Sequence, residues 1–267
     1  MKRFFLLLVT SHWSLVTLLC ADPLAKGIQD NSFLVEEAYN QEAGVVQHII
    51  NVPIVFTNGA YEIVPSFTQE WPVFSQTHQF SYSLPYSFTD EANGLADIRL
   101  NYRLQALMES DRMPAFAPRF SLVLPTGDEK KGFGNGGVGY ETNLPFSKIV
   151  SDRLTLHFNA GMSIFPDAHG HDLTNYNLGA SGIYAVTRDF NLMLETVAGW
   201  NEDIDLARVS RSTVALISPG ARYAMNCPHD LQIVVGAAVP IGLTSDSPDW
   251  GLFFYLSFEH PFTRTKQ

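Results

Sequence analysis

The chain has 267 residues and a net charge of −10, and 46% of it is hydrophobic, 12% aromatic and only 16% charged. An ordinary soluble domain carries about 25% charged residues, and the acidic balance argues against nucleic acid as a partner. Of the two cysteines, Cys20 falls in the expected signal segment described next, and Cys227 alone leaves no disulfide framework.

Lys2 and Arg3 are followed by apolar runs from Phe4 to Val9 and from Leu15 to Leu19, then by Cys20-Ala21. A basic start, an apolar core and a small final residue form a secretory signal, assigned to residues 1–21. Thr10, Ser11 and His12 break the core, so it would span a membrane poorly. Cys20 suggests a lipoprotein signal, but Leu19 stands where such sites usually hold a small residue. Cleavage after Ala21 without lipidation is therefore expected. It removes two bases and no acid, so the mature chain is more acidic still. No later stretch is apolar for long enough to form a spanning helix. If this chain enters a membrane, it does so as strands.

Residues 22–44 differ in kind. Ser32 could cap a short helix through Phe33 to Tyr39, with Gly44 ending it. The preferred reading is a periplasmic lead-in segment, helical or irregular. The alternative is a plug that enters a barrel mouth.

From Val45 onward, about twelve strand-like runs are separated by turn signals. They cover 45–56, 61–73, 77–88, 95–108, 115–125, 136–146, 154–165, 176–187, 191–200, 213–224, 231–242 and 251–262. The run at 95–108 is the clearest. Asp97, Arg99, Asn101, Arg103 and Gln105 alternate with Ile98, Leu100, Tyr102, Leu104 and Ala106, which gives one polar and one apolar face. Helix-period segments are absent here, which excludes βαβ architecture. With residue 45 on the periplasmic side, the outward connections fall at 57–60, 89–94, 126–135, 166–175, 201–212 and 243–250. They are on balance longer and richer in Gly, Asp and Asn than those at the other end, as in bacterial outer-membrane barrels. Aromatic residues gather near both ends of the runs, as two interfacial girdles would require. The expectation is an all-β fold: a single transmembrane antiparallel β-barrel over 45–262, with a tail at 263–267.

Several blocks also resemble a known family. Asn31 to His48, Ser66-Phe-Thr-Gln-Glu-Trp-Pro72, His78-Gln-Phe-Ser-Tyr82 and Pro118 to Asp128 are similar to the outer-membrane proteins labelled as a phenol-degradation MetA-pathway, or transporter, family. The resemblance implies an outer-membrane β-barrel and carries over no catalytic residue. Asp249, Gly251, Phe254 and Leu256 resemble the signal by which barrel assembly machinery recognises last strands, although Phe262 is followed by five further residues.

Chemistry-bearing motifs are few. Gly132, Gly134 and Gly137 spell a dinucleotide-binding pattern, but an alternating strand follows where a helix is required, so the cofactor reading is rejected. His169, His171 and Asp172 in an outward loop are weak metal-ligand candidates. His157, on a polar strand face, could be the base of a lipid-acting enzyme with Ser121 or Ser163 as nucleophile. No nucleophile motif supports that. The polar faces collect Glu62, Glu70, Asp97, Arg99, Arg103, Arg119, Glu141, His157, Glu195, Arg222 and Glu259. In a barrel they would line the lumen, pair across strands and set what passes.

The sequence therefore points to a monomeric channel or transporter of the outer membrane, not an enzyme. Its solute would be small and, as the family resemblance implies, hydrophobic or aromatic. The expected partners are outer-membrane lipid, that solute and the assembly machinery, with no cofactor. A lipid-acting enzyme and a closed structural or surface-interaction barrel are the alternatives.

Overall fold

The computed structural model describes residues 28, 30–168, 170–205 and 208–262. The expected signal segment 1–21 with Cys20, the tail 263–267 and His169 lie outside the described residues.

Alternating apolar and polar residues suit a sheet with two different faces. Here that sheet closes on itself as an antiparallel barrel of 12 strands. In chain order the strands are β1 (Val45–Thr57), β2 (Ala60–Ile63 and Ser66–Val73), β3 (Ser75–Thr89), β4 (Asn93–Leu95 and Ile98–Leu104), β5 (Ala115–Phe116 and Arg119–Leu124) and β6 (Gly139–Asn143 and Phe146–Ser151). They continue as β7 (Leu154–Ala168), β8 (His171–Ala185), β9 (Phe190–Asp205), β10 (Arg208–Cys227), β11 (Leu231–Ala238 and Ile241–Gly242) and β12 (Trp250–Pro261). Each pairs with the next, and β12 closes on β1 from Val45↔Pro261 to Phe56↔Trp250.

The interruptions have a common chemical cause. Pro65, Pro118, Pro145 and Pro240 fall at the breaks in β2, β5, β6 and β11. Proline has no N–H to give to the ladder. The break in β4 lies opposite Pro85, whose carbonyl still accepts from Ala96 N–H at 3.0 Å.

The two faces separate sharply. On β4, Tyr102 faces outward and is 43% exposed, whereas Arg103 faces inward and is 4% exposed. Phe120, Tyr140, Phe158, Tyr176, Leu194, Trp200 and Phe254 add to the exposed apolar exterior. An apolar belt of this extent is expected of a lipid-facing surface. Among the described residues no helix is long and apolar enough to cross a membrane.

Two expectations are corrected. The connections predicted at 166–175 and 201–212 are largely strand. β7–β8 pairing runs on to Ala168↔His171 and β9–β10 pairing to Asp205↔Arg208. Polar residues can pair across a hairpin as well as apolar ones, and Arg211 Nε lies 2.9 Å from Glu202 Oε1. The helix expected over Phe33–Tyr39 is absent, and those residues are irregular, with bends at 33–35 and 38. Their backbone groups are bonded to barrel side chains instead.

Candidate functional site

Gly44 has φ 84, a left-handed conformation that glycine adopts without a Cβ penalty. The chain turns there into β1, and Phe262 N–H seals the turn on Gly44 O at 2.8 Å. This turn sends residues 30–42 back through the interior of the barrel. The preferred sequence reading put residues 22–44 in a periplasmic lead-in. The described part of that segment lies inside the lumen.

An irregular segment leaves its own backbone groups unpaired, and buried ones must find partners. The wall supplies them as side chains. Arg222 of β10 donates to Asp30 O (2.6 Å), Asn31 O (2.8 Å) and Ile28 O (3.1 Å). Glu195 of β9 accepts from Leu34 N–H (2.9 Å) and Val35 N–H (3.1 Å). Asn159 of β7 accepts from Glu36 N–H (2.7 Å) and donates to Glu36 O (2.8 Å). Ser147 of β6 accepts from Ala38 N–H at 2.7 Å. Gln105, just past β4, accepts from Asn40 N–H (2.9 Å) and donates to Ala38 O (2.7 Å). Arg103 donates to Glu37 O (3.2 Å), Tyr39 O (2.7 Å) and Asn40 Oδ1 (2.8 Å). Asp30 accepts from Tyr255 (2.5 Å), Ser257 (2.6 Å) and Gln47 (2.6 Å), which ties the segment to β12 and β1.

Apolar contacts seat the same segment. Phe33 stacks on Phe253 with ring centroids 5.4 Å apart and tilts against Tyr255 at 5.2 Å. A Cβ on Gly236 would overlap the Phe33 ring, and one on Gly179 would lie 3.0 Å from Val35 Cγ2. These wall glycines make room for the segment.

The eleven residues predicted for the lumen divide by task. Arg103, Glu195 and Arg222 hold the internal segment. His157 is indirectly part of that group, since its Nδ1 lies 2.7 Å from Ser147 Oγ. Arg119, Glu141 and Arg99 form an ion-pair chain that ends on the segment. Arg119 Nη2 is 2.7 Å from Glu36 Oε1, Arg119 Nη1 is 3.8 Å from Glu141 Oε2, and Arg99 Nε is 3.2 Å from Glu141 Oε1. Glu70 accepts from Gln79 at 2.8 Å, and Glu62 accepts from Ser87 at 2.8 Å. Glu259 lines a chamber that Glu42 and Val45 also border. Asp97 accepts from Gly127 N–H and Asn135 N–H, both at 2.9 Å, so it folds the 125–138 connection over one mouth. That connection carries the three glycines of the rejected dinucleotide pattern, and a strand follows it.

The internal segment divides the space. Toward the mouth covered by 125–138 lie cavities of about 290 and 320 Å³, which share Leu34, Glu36, Arg119 and Glu141 as lining. Toward the other mouth lie chambers of about 640 and 910 Å³, which share Glu37, Tyr39 and Ile149.

At that second mouth the segment is latched by a residue the sequence did not single out. Glu109 accepts from Tyr39 Oη (2.5 Å), Lys148 Nζ (3.0 Å) and Ile149 N–H (2.8 Å). Burial pushes its pKa up, but these bonds and the Lys148 charge together outweigh burial and hold it below the ordinary carboxylate value. Asp172, a weak metal candidate, accepts from Asp167 N–H at 3.0 Å in its own hairpin.

An outer membrane channel of Pseudomonas putida superposes with a TM-score of 0.65 at 12% identity, covering 84% of this chain and 98% of that one. The NanC porin gives 0.49 at 11% identity, with 80% and 100% covered. The KdgM porin, in complex with disordered oligogalacturonate, gives 0.45 at 10% identity, with 82% and 99% covered. No curated protein matches the chain. The P. putida likeness shows the fold, that of an outer-membrane barrel. The model of the family described as "Putative MetA-pathway of phenol degradation" matches residues 32–259, from inside the internal segment to near the end of β12, and the chain belongs to that family.

Proposed function

We propose that this protein is an outer-membrane channel for a small solute, constricted by its own residues 30–42. One observation carries the reading. The internal segment crosses the lumen but leaves solvent-sized cavities on both of its sides. Wall side chains bonded to its backbone, rather than a continuous backbone ladder, hold it in place, so displacing it breaks no strand. The narrowing fits a solute of modest size, and the family description supports a phenol-like aromatic one. Export through the expected signal segment, contact with outer-membrane lipid, folding by the assembly machinery and a monomeric state belong to the same proposal.

The direct test is conductance of the purified, folded full chain in planar bilayers, with folding checked by a heat-dependent mobility shift. Small, discrete openings are expected, together with uptake of phenol-sized solutes into liposomes. Folded protein that neither conducts nor admits solute would favour the second reading, a closed structural barrel. That reading is favoured by the many bonds that fasten the segment. The lipid-acting enzyme gains little support from the geometry. Ser147, the hydroxyl beside His157, already accepts Ala38 N–H. Hydrolysis of lipid esters by the folded chain, lost in His157→Ala, would revive it.

A further inference from the structure

On the outer wall, where the first strand meets the last, two histidines face each other. His48 of β1 and His260 of β12 sit diagonally across the seam, since His48 is opposite Phe258 and His260 is opposite Val46. Their Nε2 atoms are 3.4 Å apart, their ring centroids 5.5 Å apart and their planes within 21°. The two Nε2 edges therefore point toward each other. Two ligands at Zn–N distances of about 2.0–2.1 Å in a tetrahedral shell are separated by about 3.3–3.4 Å. The pair already has that spacing.

The far side of the His260 ring is also prepared, and that of His48 becomes so on one amide turn. His260 Nδ1 lies 3.1 Å from Pro261 O, a backbone acceptor that places the proton on Nδ1 and leaves Nε2 with its lone pair. His48 Nδ1 lies 3.1 Å from Gln69 Nε2, and Gln69 Oε1 accepts from Tyr82 Oη at 2.8 Å. In this arrangement His48 carries its proton on Nε2 and donates it to His260. A half-turn of the Gln69 amide reverses the pattern. Gln69 Oε1 would then accept from His48 Nδ1–H, its NH₂ would donate to Tyr82 Oη, and His48 Nε2 would be free to ligate. Such outer partners orient the ligating imidazoles of metal sites. Phe258 stacks on His48 at 4.6 Å and Phe67 lies 6.2 Å away, which restricts the ring.

We propose that His48 and His260 bind a divalent transition metal of the zinc class, which clips β1 to β12 at the barrel seam. Among the described residues no group of three or more His, Cys, Asp or Glu side chains is spaced for a metal. The site is thus a two-imidazole one, with water completing the shell. The imidazoles favour zinc, copper or nickel over calcium or magnesium, which prefer oxygen. Both residues lie within four positions of the end of the paired seam, where a hydrated ion can reach them. The proposal does not depend on the channel reading, because the site faces away from the lumen.

The test is titration of the detergent-folded full chain with ZnCl₂ by calorimetry, and with CoCl₂ by visible absorption. One saturable Zn²⁺ per chain is expected, with tetrahedral Co²⁺ bands and slower heat-dependent loss of the folded gel band. His48→Ala and His260→Ala should each abolish binding while the folded band persists without metal. Gln69→Leu should weaken binding by about 10-fold or more, as loss of an orienting partner does. Gln69→Glu should restore it. The absence of saturable binding overturns the proposal. So does binding that survives in the His48→Ala/His260→Ala double variant, which would place the ion elsewhere, for instance at His169 and His171.

Discussion

The Phe33 ring fills the space over Gly236 that any larger residue would need. This pair locks the internal segment to β11 by shape, where most other contacts do so by hydrogen bonds. Gly236→Ala should push the ring off its bed while leaving the outward face of β11 unchanged. The expected outcome is a barrel with normal heat-dependent mobility but larger or more frequent openings in planar bilayers. Phe33→Ala should act in the same direction. Removing a buried aromatic ring costs about 3–5 kcal/mol of local stability. Conductance equal to the parent in both variants would mean that the segment does not limit passage.

Arg103 and Arg222 each serve several acceptors on the internal segment. Cutting one back to alanine leaves those acceptors without a donor, at about 1–3 kcal/mol for each that stays buried. Arg103→Ala should release residues 37–40 and Arg222→Ala residues 28–31. Protease accessibility of the two stretches in the folded barrel separates the cases. Arg103→Lys should rescue only in part, because one ammonium cannot reproduce a planar fork.

The Arg99–Glu141–Arg119–Glu36 chain sets the charge facing the two smaller cavities. Glu141→Gln removes the carboxylate that Arg99 pairs with and leaves Arg119 with Glu36 alone. The cation-to-anion permeability ratio, read from the reversal potential in a salt gradient, should fall. Glu62→Gln, outside this chain, should shift it less. A ratio unmoved by Glu141→Gln would exclude these side chains from the conducting path.

The Glu109 latch gives a pH dependence with a definite sign. Its pKa in the folded state lies below the ordinary value of 4.5, so its contribution is complete above that value. The contribution is lost as pH falls through the lowered folded value. Acidification below about pH 4.5 should loosen Tyr39 and the 105–114 connection, seen as faster amide exchange there. Glu109→Gln should show fast exchange already at neutral pH and less further change on acidification. An equal acid response in parent and variant would assign the effect to other carboxylates.

Much of the architecture is legible in the sequence. Along β4 and the break before its second part, Asp97, Arg99, Asn101 and Arg103 alternate with Ile98, Leu100 and Tyr102, and a period of two assigns faces whatever the neighbours are. The count of 12 strands followed from turn residues between such runs. The same local logic misjudged the hairpin tips at 166–175 and 201–212. Their polar residues read as loop, although a ladder depends on backbone pairing and not on apolarity.

The sequence by itself determined the barrel, because alternation is a property of neighbouring residues. It also identified the charged inner faces, because lipid tolerates no such charges on the other face. What those charges do was decided only by tertiary structure. Arg103, Glu195 and Arg222 were expected to pair with charges on nearby strands. They bond instead to the backbone of residues 28–40, a stretch more than 60 positions away in every case. No periodicity reports a partner of that kind. A segment without secondary structure has a place only once a closed wall surrounds it and its unpaired amides and carbonyls meet the side chains that satisfy them.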